Sequence, residues 1–248
     1  MMKTYCYEWF GIKFNSFAVP SHRKLADAKF YNEFYNEFYN RFQSYAELPE
    51  SYRKSKNEIA DFLFEIVKNK NKILSIGCGN CYVEQRLSNL LLENSEQLIK
   101  FGQIITAIDP GIKLSSIWLK AQNVKLLKGY FPDDLEIREK FDVGYASNID
   151  YAFTDELYLK FLKSTVDFGI KDFILTDIIT PPSLPISVLI KNIIKDLLSD
   201  LNLYEPRQFW GYLRTINEHE AFLRKAGFSH IEVGEFNNGN KYLRARND

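Results

Sequence analysis

The stretch Lys72-Ile73-Leu74-Ser75-Ile76-Gly77-Cys78-Gly79-Asn80-Cys81 decides how the rest of the chain is read. It is a short, mostly apolar run that stops at two glycines one residue apart. Beyond them Val83, Leu87, Leu90 and Leu91 recur at helical spacing, so the segment reads as strand, glycine turn and helix. Such a turn brings bare backbone against a ligand at the helix N-terminus, where unpaired N–H groups and the helix dipole favour anions and carboxylates.

Working outward, the same alternation recurs. Strands are expected at 104–108, stopped by Asp109-Pro110-Gly111, at 124–127, stopped before Gly129, at 141–146, and at 172–179, stopped by Pro181-Pro182; a helix is expected at 157–166. Strands alternating with helices predict βαβ units and a doubly wound, mostly parallel α/β sheet. Residues 186–203 read as a further amphipathic helix, serving as core, cap or interface. A helix at 218–226 is closed by Gly227, and 230–236 with 241–245 form an antiparallel hairpin around Asn237-Asn238-Gly239. On the N-terminal side, Phe30-Tyr31-Asn32-Glu33 is followed by Phe34-Tyr35-Asn36-Glu37 and Phe38-Tyr39-Asn40-Arg41. A spacing of four stacks Phe on one helix face and Tyr on a neighbouring one. Helical spacing resumes over 55–67. Because the sheet starts near Lys72, residues 1–70 are expected to form an N-terminal helical cap and 71–248 the ligand-binding domain.

The 248 residues can bury a large core without disulfides, and three cysteines fit a reducing compartment. Thirty-two Lys and Arg against 32 Asp and Glu leave no net field for a polyanion, so a nucleic-acid partner is not expected. The longest apolar stretch, 184–190, is too short to span a bilayer, and residues 1–13 carry no signal-peptide run. A cytoplasmic protein with no membrane partner is the expectation, with a homodimer left open. The abundance of Lys, Asn, Ile, Phe and Tyr is compatible with an AT-rich bacterial genome.

Three ligands compete for the glycine turn. A dinucleotide fingerprint would need glycine at position 82, where Tyr82 stands. Cys78-Gly79-Asn80-Cys81 is a Cys-x-x-Cys at a helix start, but no second ligand pair accompanies it, and no metal is expected. An adenosyl cofactor is favoured by Asp109, because an acid ending the second strand of the alternation can accept both hydroxyls of a ribose lying across the strand tips.

From about residue 39 onward the chain resembles the class I S-adenosylmethionine-dependent methyltransferases. The matching segments are Ile73-Leu74-Ser75-Ile76-Gly77-Cys78-Gly79, Thr106-Ala107-Ile108-Asp109, Phe141-Asp142-Val143-Gly144, and Phe222-Leu223-Arg224-Lys225-Ala226-Gly227-Phe228 leading into Ile231-Glu232-Val233. The resemblance implies a seven-stranded sheet with its last strand antiparallel, S-adenosylmethionine as cofactor, and a small-molecule acceptor methylated at oxygen, such as a sugar or other metabolite. It places the cofactor on Gly77, Cys78, Gly79, Asp109, Pro110, Tyr130 and Asn148. Tyr39-Asn40 with Tyr45 is similar to an N-terminal signature in which a Tyr reaches the methionine end. The chain departs from the pattern at Ser75, where an acid is usual, at Cys81, where a third glycine is usual, and at Tyr130, where Gly129 would be followed by Asp. The span from Gly79 to Asp109 is also long, which implies an extension or insertion at 88–101. A nicotinamide-dependent oxidoreductase, or a non-catalytic adenosyl- or partner-binding domain, are the rival readings.

Methyl transfer is an in-line displacement, so positioning dominates and a base is optional. The candidate catalytic residues are Asp150 and Tyr151, which follow the fourth strand of the alternation, and His22, which precedes the aromatic helix. His219, in Glu218-His219-Glu220, is expected on the surface. Tyr35, Trp210, Tyr212 and Arg214 are candidate acceptor contacts, with a pairing of Arg214 to Glu218 as the plainer role. Tyr31, Tyr35 and Tyr39 can lie over a sulfonium as a lid, while the Phe face packs as core.

Overall fold

A computed structural model describes residues 2–94, 104–111, 118–135, 140–181, 194, 198 and 207–247. Its centre is the predicted strand, β4 (Lys72–Ile76), which pairs in parallel with β5 (Ile104–Asp109) on one side and β7 (Val143–Ser147) on the other. β6 (Val124–Lys128) extends one edge, and β8 (Asp172–Ile178), β11 (Lys241–Arg246) and β10 (His230–Glu235) extend the other. The order is β10-β11-β8-β7-β4-β5-β6, with β11 antiparallel to both of its neighbours. Winding reverses at β4, and an open α/β sheet opens its ligand crevice at such a switch point, outside the carboxyl ends of the strands.

Both faces are covered because the central strands carry apolar side chains in both directions. On one face lie α2 (Glu50–Val67) and α3 (Tyr82–Glu93), burying Ile59, Leu63, Val83 and Leu87 against Ile73 and Ile105. On the other lie α4 (Asp155–Asp167) and α5 (Ile216–Ala226), burying Phe161, Leu162 and Leu223 against Leu74, Phe173 and Leu175. α5 is delimited by local chemistry, with a reciprocal Thr215–Glu218 capping box at its start and Gly227 at its end.

The N-terminal segment builds a third, aromatic core. α1 (Ala28–Arg41) is capped by Asp27, whose carboxylate accepts from the Phe30 amide at 3.0 Å, and it buries Phe30, Phe34 and Phe38 as its Phe stripe predicts. These rings pack with Phe14, Leu48 and Trp118. Four strands have no counterpart in the sequence reading, and two of them, β1 (Met2–Cys6) and β9 (Gln208–Leu213), pair antiparallel in a separate two-stranded sheet. A further short hairpin joins β2 (Glu8–Trp9) to β3 (Ile12–Lys13). The expected helix 186–203 lies outside the described residues except for Ile194 and Leu198, both helical, and the span 88–101 is described only to Asn94. Among the described residues, no helix is long and apolar enough to cross a membrane.

Candidate functional site

A cavity of about 770 Å³ opens along the carboxyl ends of the central strands. The tips of β4, β5, β6, β7 and β8 contribute Gly77 to Asn80, Asp109 to Gly111, Gly129 to Phe131, Ser147 to Ile149, and Asp177. Tyr31 and Tyr35 of α1, with Trp9 and Phe10, line it as well, and α2 contributes Tyr52, Ser55 and Lys56. Of the predicted residues, Gly77, Cys78, Gly79, Asp109, Pro110, Tyr130, Asn148, Tyr35 and Tyr151 are therefore brought around one cavity.

The glycine loop is fixed from several directions. The Gly79 amide donates to Asp109 Oδ2 at 3.0 Å, and the Gly111 amide donates to Oδ1 at 2.7 Å. Tyr45 donates to the Asn80 carbonyl at 2.9 Å, and Tyr52 donates to Asn80 Oδ1 at 3.2 Å. Burial raises the Asp109 carboxyl above its ordinary value, and the two glycine amides oppose that shift. Each Asp109 oxygen keeps a second lone pair for a ligand hydroxyl. Cys78 and Cys81 are free thiols with sulfurs 3.3 Å apart, and burial pushes the Cys78 thiol well up. Among the described residues, no three His, Cys, Asp or Glu side chains converge as a metal site.

The missing acid at Ser75 is replaced from an unexpected direction. Glu84, in the first turn of α3, is fully buried and turns back to the β4 tip, where its Oε1 accepts from Ser75 Oγ at 2.6 Å and Tyr145 OH at 2.9 Å. Its Oε2 has no hydrogen-bond partner, and neither has the buried Oδ1 of Asn148. Both residues line the cavity. Buried acceptors are seldom left unmatched, so each marks a place on the cavity lining for a donor group. Burial raises the Glu84 carboxyl, which the Ser75 hydroxyl opposes. A carboxylate beneath the glycine loop was legible: Glu84 falls three residues before Leu87 and seven before Leu91, on the apolar stripe of its helix.

The other predicted residues take different places. Tyr151 faces the cavity together with Tyr31, whose phenol is pushed up to about 12 by burial. Trp210 stacks on the Tyr151 ring at 5.9 Å from behind the wall. The approach is close enough that a Cβ on Gly211, at φ +153°, would stand 2.2 Å from the Tyr151 carbonyl oxygen. Tyr39 packs edge-on to Trp118 outside the cavity lining, Tyr212 packs against Phe209, and His22 lies beside the start of β9. Tyr130, 54% exposed, sits at the mouth.

Two expectations are corrected. His219 is completely buried, not solvated, because α5 turns it inward, where its Nδ1 and Tyr158 OH share a 2.8 Å hydrogen bond. Arg214 is completely buried too, and its guanidinium is committed to the turn after β7. It donates to Asp150 O at 2.8 Å, Phe153 O at 2.6 Å and Asp155 Oδ1 at 3.1 Å, while Glu218 closes the cap of its own helix. The Asp150 carboxylate belongs to this cluster, 3.5 Å from His219 Nε2 and off the cavity lining. Burial raises it to about 7, although Arg214 pulls the other way, and burial lowers His219 to about 4 with Arg214 adding to the shift.

No family model matches the sequence, and no curated protein matches it either. Solved structures do resemble it. Human N-acetylserotonin methyltransferase in complex with S-adenosylmethionine superposes with a TM-score of 0.57 at 13% identity, over 89% of this chain and 56% of that one. The mitomycin 7-O-methyltransferase MmcR gives 0.57 at 14% identity, over 89% and 57%. Magnesium protoporphyrin IX methyltransferase from Synechocystis PCC 6803, with bound S-adenosylhomocysteine, gives 0.51 at 12% identity, over 79% and 83%. This chain thus spans little more than half the length of the first two. Its fold is that of the class I S-adenosylmethionine-dependent methyltransferases.

Proposed function

We propose that the chain is an S-adenosylmethionine-dependent methyltransferase acting on an oxygen of a small-molecule acceptor. The observation that carries this reading is that two unmatched buried acceptors, Glu84 Oε2 and Asn148 Oδ1, line the same cavity as Asp109. Asp109 would take the ribose hydroxyls, and Glu84 with Asn148 the ammonium of the methionine end. Gly77, Cys78 and Gly79 would lie along the chain between, and Pro110 with the Tyr130 ring would flank the adenine. When bound, the cofactor supplies an electrophilic methyl on a sulfonium. The residues of this chain align the acceptor and exclude water.

Of the residues named for catalysis, Tyr151 supplies the contact at the wall. Asp150 acts as a positioning residue: its backbone carbonyl accepts from Arg214, which holds the turn that carries Tyr151, and its carboxylate lies beside His219. Tyr45 positions the glycine loop through Asn80. Residues 1–70 serve as the cap, with the Tyr31 and Tyr35 rings offering neutral aromatic faces toward a cation. The resemblance to an N-acetylserotonin methyltransferase and to a mitomycin 7-O-methyltransferase supports the same class of acceptor.

Thermal unfolding of the full chain with S-adenosylhomocysteine, with NAD and with no ligand tests the reading, since a ligand at 100 times its Kd stabilises by about 2.7 kcal/mol. Stabilisation by S-adenosylhomocysteine alone is expected. Stabilisation by NAD alone would assign the cavity to the oxidoreductase reading.

A further inference from the structure

The part of the cavity at the β7 and β8 tips is built differently from the Asp109 part. Lys56 of α2 reaches the tips of β7 and β8 and donates to Asp177 Oδ2 at 2.5 Å, with Ser147 Oγ 3.4 Å away. Asp177 Oδ1 accepts from Asn240 Nδ2 at 2.5 Å. Lys56, Asp177, Ser147 and Asn240 all line the cavity, and the Lys56 and Asp177 side chains are only 11% and 9% exposed. Asp177 holds this position with φ at +59°, a region non-glycine residues avoid and where strain is commonly tied to function.

A purely structural latch does not account for the pair. The turn between β10 and β11 is already tied to α2 by Asn237, which donates to Glu58 through its amide and side chain at 2.9 and 2.7 Å, and by Asn238, which donates to Ser55 at 2.9 Å. Burying an ion pair is costly and weak as a source of stability, whereas the exposed contacts just named already hold the turn. The neighbouring wall is aromatic, formed by Trp9, Phe10, Tyr52 and Tyr151.

Resting on the methyltransferase reading, we propose that Lys56 and Asp177 form the acceptor subsite and bind the hydroxyl of a flat phenolic acceptor. Because Asp177 neutralises Lys56, this end does not select a carboxylate or phosphate. It suits a neutral hydroxyl that becomes negative only as it reacts. In the step, the acceptor O–H breaks and its proton passes to the free lone pair of the Asp177 carboxylate. The acceptor oxygen forms a bond to the methyl carbon as the sulfur–methyl bond breaks, and the sulfonium leaves as a neutral thioether. The Lys56 ammonium faces the developing oxyanion. Other charged or titratable groups within reach of this site are Glu84 and Asp150, which interact with Lys56 and Asp177 respectively, and the Tyr52 phenol, whose ring lies 5.7 Å from Lys56 Nζ.

The test uses the full chain saturated with S-adenosylhomocysteine and 4-nitrophenol as probe, whose phenolate absorbs visibly. Once the probe's proton rests on Asp177, Lys56 is no longer neutralised and its charge faces the phenolate; a cation within 4–6 Å favours the ionised form by about one pH unit or more, so the bound probe is expected to ionise at least about tenfold more readily than in water. Lys56→Met is expected to abolish that shift while leaving S-adenosylhomocysteine affinity within about twofold. If the lone substitution prevents folding, the charge-neutral Lys56→Met/Asp177→Asn protein is used, with the same loss expected. Cofactor-product binding with no saturable probe binding, or with an unshifted probe, overturns this inference alone. Failure of the parent to bind S-adenosylhomocysteine overturns the methyltransferase reading and this inference with it.

Discussion

Gly79→Ala perturbs the point where the glycine loop meets the aromatic helix. A Cβ built at position 79 would stand 2.6 Å from the Tyr35 hydroxyl oxygen, and the next atom, Tyr35 Cζ, lies at 3.7 Å, an ordinary contact. The residue also has φ at +55°, which costs an alanine roughly 1–2 kcal/mol. Tyr35 is 8% exposed and wedged among Phe34, Phe38 and Tyr39, so its hydroxyl cannot swing aside, and overpacking of this kind adds about 1–3 kcal/mol. The single variant should therefore lose about 2–5 kcal/mol. Because only the oxygen clashes, the same substitution in a Tyr35→Phe background should recover the packing part, about 1–3 kcal/mol, and leave the backbone part. Equilibrium urea unfolding of the parent, both single variants and the double variant closes the cycle. An equal cost for Gly79→Ala in both backgrounds would refute the claim that α1 presses on the loop.

Asp109→Ala should weaken S-adenosylhomocysteine binding by about 1.5–3 kcal/mol, roughly 10- to 150-fold, in titration calorimetry; unchanged affinity in a folded variant would remove Asp109 from the site. Asp150→Asn tests the buried cluster through pH. Asp150 is raised from 3.8 to about 7, so its protonated form is favoured in the native state and its contribution to stability falls as pH rises through that interval. His219, lowered from 6.5 to about 4, acts in the opposite sense between those values. Removing the Asp150 titration should make the variant gain stability relative to the parent between about pH 4 and 7, with a slope approaching 1.4 kcal/mol per pH unit; a flat difference argues against a buried neutral carboxyl. Arg214→Met strands two backbone carbonyls and should cost about 3–5 kcal/mol in denaturant unfolding, whereas a loss below about 1 kcal/mol would mean the guanidinium is not holding the turn. Amide exchange of residues 26–45 should slow on adding S-adenosylhomocysteine if the cap closes over it, and unchanged exchange would make α1 a packing element only.

The periodic part of the fold was legible because its causes are local. Apolar runs ended by glycine or Asp-Pro-Gly specify β4 and β5, and Gly227 with the Asn237-Asn238-Gly239 turn specifies the C-terminal hairpin; all lie in the architecture within a residue or two of the reading. The same holds for Gly77, Gly79 and Asp109, whose positions after strands place them at the strand tips. What local pattern could not show was pairing across the chain. β1 meets β9 some two hundred residues away, and nothing in Met2-Lys3-Thr4-Tyr5-Cys6 favours that edge over water until the Trp210 and Phe14 rings are assembled beside it. The charged residues of the site were half legible, since Lys56 precedes Ile59 and Leu63 by three and seven residues, on the buried stripe of its helix, just as Glu84 does on α3. Sequence spacing marks such a charge as buried, but only the packing of α2 over the β7 and β8 tips makes Asp177 its partner. The tertiary structure likewise decided that Arg214 and His219 point inward. Burial depends on which elements cover a helix face, and α4 covers that face of α5 from more than fifty residues away in the chain.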